Sequence, residues 1–182
     1  DGRFVAFESA DGALVANDNN RLLDVFVRDI VAGTNELISV HHPALNSVTP
    51  NGLSSLSAFS PSSDGRYVAF TSTADNPAAG DTNGYLDVFV RDLATGSNIL
   101  VSADAAGLSG NGPSFEPAIS GDGRYVAFTS SATDLVAGDT NKATDVFVRN
   151  LHSGITVLAS LSANGTGAAN SNSYSPTLST DG

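Results

Sequence analysis

Short apolar runs separated by turn-forming residues make up most of the chain, and the runs recur in a fixed order. FVAF from Phe4, YVAF from Tyr67 and YVAF from Tyr125 are each followed by an Asp that opens the string DVFVR, at Asp24, Asp87 and Asp145. The interval from the first Val of each run to that Asp is 19 residues in every copy: Val5 to Asp24, Val68 to Asp87, Val126 to Asp145. A Gly follows at a constant offset (Gly33, Gly96, Gly154), and then a further apolar stretch, LIS from Leu37, LVS from Leu100 and LAS from Leu158. Runs this short, bounded by Gly, Asn and Asp, read as strands. Their apolar residues are continuous rather than alternating, which predicts sheets covered on both faces. No segment sustains a 3.6-residue period, and Gly, Pro and Asn interrupt throughout, so the predicted fold class is all-β.

A fourth strand in each unit is predicted just before an Asp-Gly pair: PAIS at Pro117, PTLS at Pro176, and AFSPSS from Ala58, whose displaced Pro marks a local irregularity. The pair itself recurs as DGRF at Asp1, DGRY at Asp64 and Asp122, and DG at Asp181, at spacings of 63, 58 and 59 residues. Asp-Gly between two strands predicts a tight hairpin, because both residues tolerate the positive φ of primed turns. A period of this size with several strands per unit points to β-propeller blades or a similar array rather than to a helical solenoid. The expectation is three tandem four-stranded antiparallel blades, residues 1–63, 64–121 and 122–182, in one continuous repeat domain that forms a partial propeller or part of a larger ring or assembly.

Composition narrows the function classes. With 182 residues, 41% of them hydrophobic, the chain can bury a real core. It has no Cys, which removes disulfides, thiol catalysis and thiolate metal sites. The net charge is −11, and six of the eight basic residues sit at repeat-equivalent positions, so no basic patch is left for phosphates. Nucleic acid and membrane insertion are therefore not expected, and no apolar run is long enough to span a bilayer. The chain starts at Asp1 without a leader and reads as a mature or excised piece. Few Lys and many Asp, Asn, Thr and Gly suit an extracellular or periplasmic setting.

Taken together, DGRYVAFTS, AGDTN, DVFVRDLATG and LVS resemble the TolB-like PD40 (WD40-like) propeller repeat, over essentially the whole chain. The resemblance implies four-stranded blades around a central axis, most often six or more, acting as protein-interaction platforms or as gating domains beside peptidases. It implies no catalytic residue within the blades. Three blades are too few to close a ring and remove the exposed sheet edges. The expected function is thus a non-catalytic module for protein interaction or structural assembly, with a protein partner or self-association through blade edges. Two alternatives stand beside it: a self-assembling fibre or surface-layer subunit, and an accessory propeller of a peptidase or glycan-active enzyme.

The candidate chemistry lies in the loop before each DVFVR: NDNNRLLD from Asn17, GDTNGYLD from Gly80 and GDTNKATD from Gly138. All have the form DxNxxxD, with members Asp18, Asn20 and Asp24; Asp81, Asn83 and Asp87; Asp139, Asn141 and Asp145. Oxygen side chains at this spacing can curl around a hard cation, with Ca²⁺ the candidate. The loops resemble the calcium loops of integrin-type propellers but are two residues shorter and lack a third acidic ligand. The competing reading is that Asp and Asn make Asx turns while Asp24, Asp87 and Asp145 pair with a nearby Arg.

Arg28, Arg91 and Arg149, and separately Arg3, Arg66 and Arg124, are expected to form bidentate pairs with the recurring aspartates. Asp29 and Asp92 have Asn150 as their third-unit counterpart, so a pair using that carboxylate should be missing there. His41 and His42, in a long insertion spanning residues 39 to 63, and His152, in a turn, cannot build a zinc site alone. GLSGNG from Gly107 only partly matches a nucleophile elbow and lies outside a strand-to-helix context.

Overall fold

The computed structural model describes residues 2–41, 50–165 and 167–182. The Asp1 end of the first turn, His42 and the 42–49 part of the long insertion lie outside the described residues. The apolar runs form strands as expected: β1 (Phe4–Ser9), β2 (Asp24–Asp29), β3 (Thr34–Leu37), β4 (Ser54–Pro61), β5 (Tyr67–Ser72), β6 (Asp87–Asp92), β7 (Ser97–Leu100), β8 (Ser114–Ile119), β9 (Tyr125–Ser130), β10 (Asp145–Asn150) and β11 (Thr156–Leu158). Within each unit the register is the same. Tyr67 pairs with Asp92 and Ser72 with Asp87, just as Tyr125 pairs with Asn150 and Ser130 with Asp145.

The strands group into three antiparallel blades. Among the described residues the first has three strands, β1-β2-β3, and the other two have four, β4-β5-β6-β7 and β8-β9-β10-β11. Blades two and three meet at their first strands, where β4 and β8 run parallel and touch at Phe59 and Ala118. The strand before each Asp-Gly is therefore innermost, and the sheets are offset from the sequence units: residues 54–61 belong by hydrogen bonding to the blade of β5. Both inner strands carry a register shift, between Leu56 and Pro61 in β4 and between Phe115 and Ala118 in β8. PTLS at Pro176, expected as a strand, forms none; the Ser175 amide instead donates to Glu116 Oε2 at 2.8 Å.

Burial on both faces follows the continuous apolar runs. Val25, Val27 and Ile38 of blade one pack with Val68, Phe70 and Phe89 of blade two. Val88, Val90 and Val101 of blade two pack with Val126, Phe128 and Phe147 of blade three. In β1 the pattern fails: Val5 is exposed because no sheet covers its face among the described residues, and Phe4, on the opposite face, is covered only in part, by the Gly65 turn.

The Asp-Gly hairpins form, but with different turn chemistry from that expected. Only Gly takes positive φ (Gly65 +70°, Gly123 +70°), while Asp caps the turn with its side chain. Asp64 Oδ1 accepts from the Arg66 amide at 3.0 Å and from Ser62 Oγ at 2.5 Å, and the Gly65 amide donates to the Ser62 carbonyl at 3.0 Å. This is a bulged turn with a left-handed Gly rather than a primed two-residue turn. The glycine also serves the blade contact: a Cβ on Gly65 would overlap the Phe4 ring, one on Gly123 the Tyr67 ring, and one on Gly182 the Tyr125 ring. Each blade thus seats the next turn on an aromatic face.

Candidate functional site

The three DxNxxxD loops share one backbone shape. The residue before the first Asp is left-handed in each (Asn17 φ +68°, Gly80 +92°, Gly138 +99°), which turns the following carboxylate inward. At Gly80 a side chain is excluded twice over, by this φ and by the Gly107 carbonyl, which would collide with a Cβ. Asn17 occupies the same conformation because Asn tolerates it.

The three members of the motif have separate jobs. The Asn is a turn staple: Asn83 Oδ1 accepts from the Tyr85 amide at 2.7 Å while Nδ2 donates to the Gly110 carbonyl at 2.7 Å. Asn20 does the same with Leu22 and Pro50, and Asn141 with Ala143 and Ala169. The last Asp starts a strand and is locked by the Ser of the next apolar stretch. Ser102 Oγ accepts from the Val88 amide at 3.0 Å and donates to Asp87 Oδ1 at 2.5 Å. Ser39 and Ser160 repeat this with Asp24 and Asp145. Sequence reasoning missed these serines as functional neighbours, although their constant offset of 15 residues from the Asp was available as a signal.

The first Asp has no such role. Asp81 and Asp139 are each 5% exposed, yet neither carboxylate oxygen of either residue has a hydrogen-bond partner. Asp18 Oδ1, Asp24 Oδ2 and Asp87 Oδ2 are buried and unpartnered as well. Burial, and then the neighbouring Asp87 carboxylate, pushes Asp81 up to about 7. Burial pushes Asp87 up to about 6 despite its bond to Ser102. Asp24 and Asp139 move the same way, each first through burial and also through the loop's other Asp. Among the described residues, no three His, Cys, Asp or Glu side chains gather as a metal-holding group, so a cation here would rest on two carboxylates and neutral oxygens.

Two expectations for arginine need correction. Asp24, Asp87 and Asp145 do not pair with Arg, because Ser Oγ occupies them. Nor do Arg28, Arg91 and Arg149 form aspartate pairs, since their strand position points them at the turn and the preceding blade. Arg28 bonds Asn35, Arg91 bonds Glu36 and the Gly96 carbonyl, and Arg149 bonds the Ala103 carbonyl and Thr156.

The other set behaves as expected. Arg66 grips Asp92 through Nε and Nη2 at 3.0 and 2.8 Å, Arg3 holds Asp29, and Arg124 turns to Asp122 where Asn150 removes the partner. The Arg3 bond, with backbone donors, holds Asp29 down at about 2. Asn150→Asp should restore the pair to blade three. Because Arg124 is exposed and its pairs are screened by solvent, the gain should be small, read as a slight rise in the urea midpoint. An unchanged or lower midpoint would show that Asp122 already satisfies Arg124. His152 lies in an exposed turn, its amide bonded to Asn150.

No protein-family profile and no curated protein matches the chain. Solved structures do. The chain is similar in fold to β-propellers. TolB from Acinetobacter baumannii aligns over 90% of this chain and 33% of its own, with 15% identity and a TM-score of 0.46. A putative TolB from Agrobacterium tumefaciens aligns over 96% of this chain and 51% of its own, with 18% identity and a TM-score of 0.47. The β-propeller domain of the Trilobed protease from Pyrococcus furiosus aligns over 86% and 39%, with 15% identity and a TM-score of 0.47. This chain therefore spans between a third and about half the length of these structures.

Proposed function

We propose that the chain is a non-catalytic propeller module, in an extracellular or periplasmic setting, that works by protein association through its blade faces. The observation carrying this reading is the contrast between equivalent positions. Val68 and Val126 are 1% and 0% exposed where a neighbouring blade covers them, whereas Val5, the same residue of the repeat, is 45% exposed. An uncovered apolar face of a β-sheet favours another sheet as its partner. The Asp-Gly turn seated on an aromatic ring, repeated at Phe4, Tyr67 and Tyr125, gives that association a defined geometry. A net charge of −11 disfavours nucleic acid as the partner, and the polar, Lys-poor composition supports the setting. No helix among the described residues is long and apolar enough to cross a membrane.

Light scattering across a concentration series tests the reading. The protein should form assemblies heavier than one chain as concentration rises, and Val5→Asp should shift them toward single chains by roughly tenfold in midpoint, a charge in a desolvated contact being costly. Discrete dimers would favour a closed ring of two copies, and particles growing without limit would favour a fibre subunit. Val5→Asp without effect on any assembly would remove the blade face as the docking surface.

A further inference from the structure

We propose that the loop of blade two binds one Ca²⁺ between Asp81 and Asp87, with the loops of blades one and three offering weaker versions of the same site. Three carboxylate oxygens there, both of Asp81 and Oδ2 of Asp87, are buried without a hydrogen-bond partner. Leaving ionised oxygens so placed is expensive, and among the described residues no salt bridge reaches them. Arg66 is committed to Asp92, and Arg91 to Glu36 and the Gly96 carbonyl. The residue after the Asn staple is Arg21 in loop one and Lys142 in loop three, both exposed, but Gly84 in loop two, so loop two alone has no built-in positive charge at that place. In loop three, moreover, Asn141 Nδ2 donates to Asp145 Oδ2 at 2.7 Å, and Ser160 takes the other oxygen.

The chemistry selects the ion. All the free groups are hard oxygens, no His or Cys is at hand, and carbonyls and water can complete the six to eight ligands Ca²⁺ accepts. Mg²⁺ demands a tighter octahedron and surrenders its water reluctantly. Two carboxylates place the affinity among weak extracellular sites, with Kd on the order of 0.1–1 mM. This inference does not rest on the proposed association, because a monomeric chain would bind the ion as well.

Tyr85 provides a local probe, since loops one and three carry Leu22 and Ala143 at its position. Tb³⁺ added to the full chain should give tyrosine-sensitised emission that Ca²⁺ competes away and Mg²⁺ does not at equal ionic strength. Tyr85→Phe should remove most of that emission while leaving calorimetric Ca²⁺ binding intact. Asp81→Asn, which keeps the shape and removes the charge, should weaken loop-two binding at least tenfold. Asp81→Glu, which keeps the charge, should retain measurable affinity. The proposal is overturned if calorimetry detects no Ca²⁺ binding at about ten times the expected Kd, if Mg²⁺ competes as well as Ca²⁺ and so reports charge screening alone, or if Asp81→Asn binds like the parent.

Discussion

Phe89→Ala is expected to destabilise the protein by about 3–5 kcal/mol, and Phe7→Ala, in the corresponding cross-strand stack of blade one, by about half as much. Both rings belong to the same kind of cross-strand stack. Phe70 and Phe89 lie 5.5 Å apart at 23°, and Phe7 and Phe26 lie 5.7 Å apart at 23°. Stacking within the sheet is thus matched, and what differs is cover. Phe89 is fully buried beneath Val25, Val27 and Ile38 of blade one, whereas Phe7 lies in the half-exposed β1. Truncating Phe89 leaves a cavity that two packed sheets cannot close, while water and side-chain movement can fill the space left by Phe7. In an array stabilised by nearest-neighbour interfaces, the middle blade also contributes to two interfaces and the first to one. Urea titration of both variants measures the difference. Equal costs would mean that the energy resides in each blade by itself, and that blade-to-blade burial adds little.

The same contrast explains what the sequence could and could not reveal. Strand positions were legible because continuous apolar runs of four to six residues, punctuated by Gly and Asp, leave little choice but a sheet covered on both faces. The constant interval from Val68 to Asp87 even encodes register, since Ser72 and Asp87 end as partners. Blade membership was harder to read, because a repeat in sequence has no natural origin. Only hydrogen bonding shows that β4 belongs with β5. The turn chemistry was half visible: Gly at positive φ was, but the Ser62 hydroxyl that lets Asp64 keep an ordinary φ was not.

In the loops, spacing gathered the right residues and could not divide their labour. Asp81, Asn83 and Asp87 look alike as oxygen donors, yet Asn83 is spent on Tyr85 and Gly110, and half of Asp87 is spent on Ser102. Of those partners, Gly110 and Ser102 lie 27 and 15 residues away, beyond the reach of a local motif. The arginine expectations divided for a similar reason. Arg66 faces Asp92 directly across the hairpin, but Arg91 is taken by the Gly96 carbonyl of its own turn and by Glu36 of the preceding blade.

Without calcium, the protein should lose stability as pH rises from about 5 to about 7.5, by on the order of 2–4 kcal/mol. The sign follows from the folded-state values. Asp81 and Asp87 are pushed up to about 7 and about 6 from an ordinary 3.8, by burial first. The folded state therefore holds protons that the unfolded chain has already released, and the stability linked to them is fully present below about pH 4 and is lost as pH climbs through 6 and 7. Asp29 and Asp122, held at about 2, act in the opposite sense and matter only as pH falls below about 4. Melting curves in EDTA should accordingly peak near pH 4–5 and decline toward neutrality. Millimolar Ca²⁺ should flatten the decline, because a cation between Asp81 and Asp87 replaces the proton and is itself bound only by the folded state. Asp81→Asn should flatten it without any metal, the buried charge having been removed. An EDTA profile that holds level or rises between pH 5 and 7.5 would show that these carboxylates are hydrated in solution and carry no stored electrostatic cost.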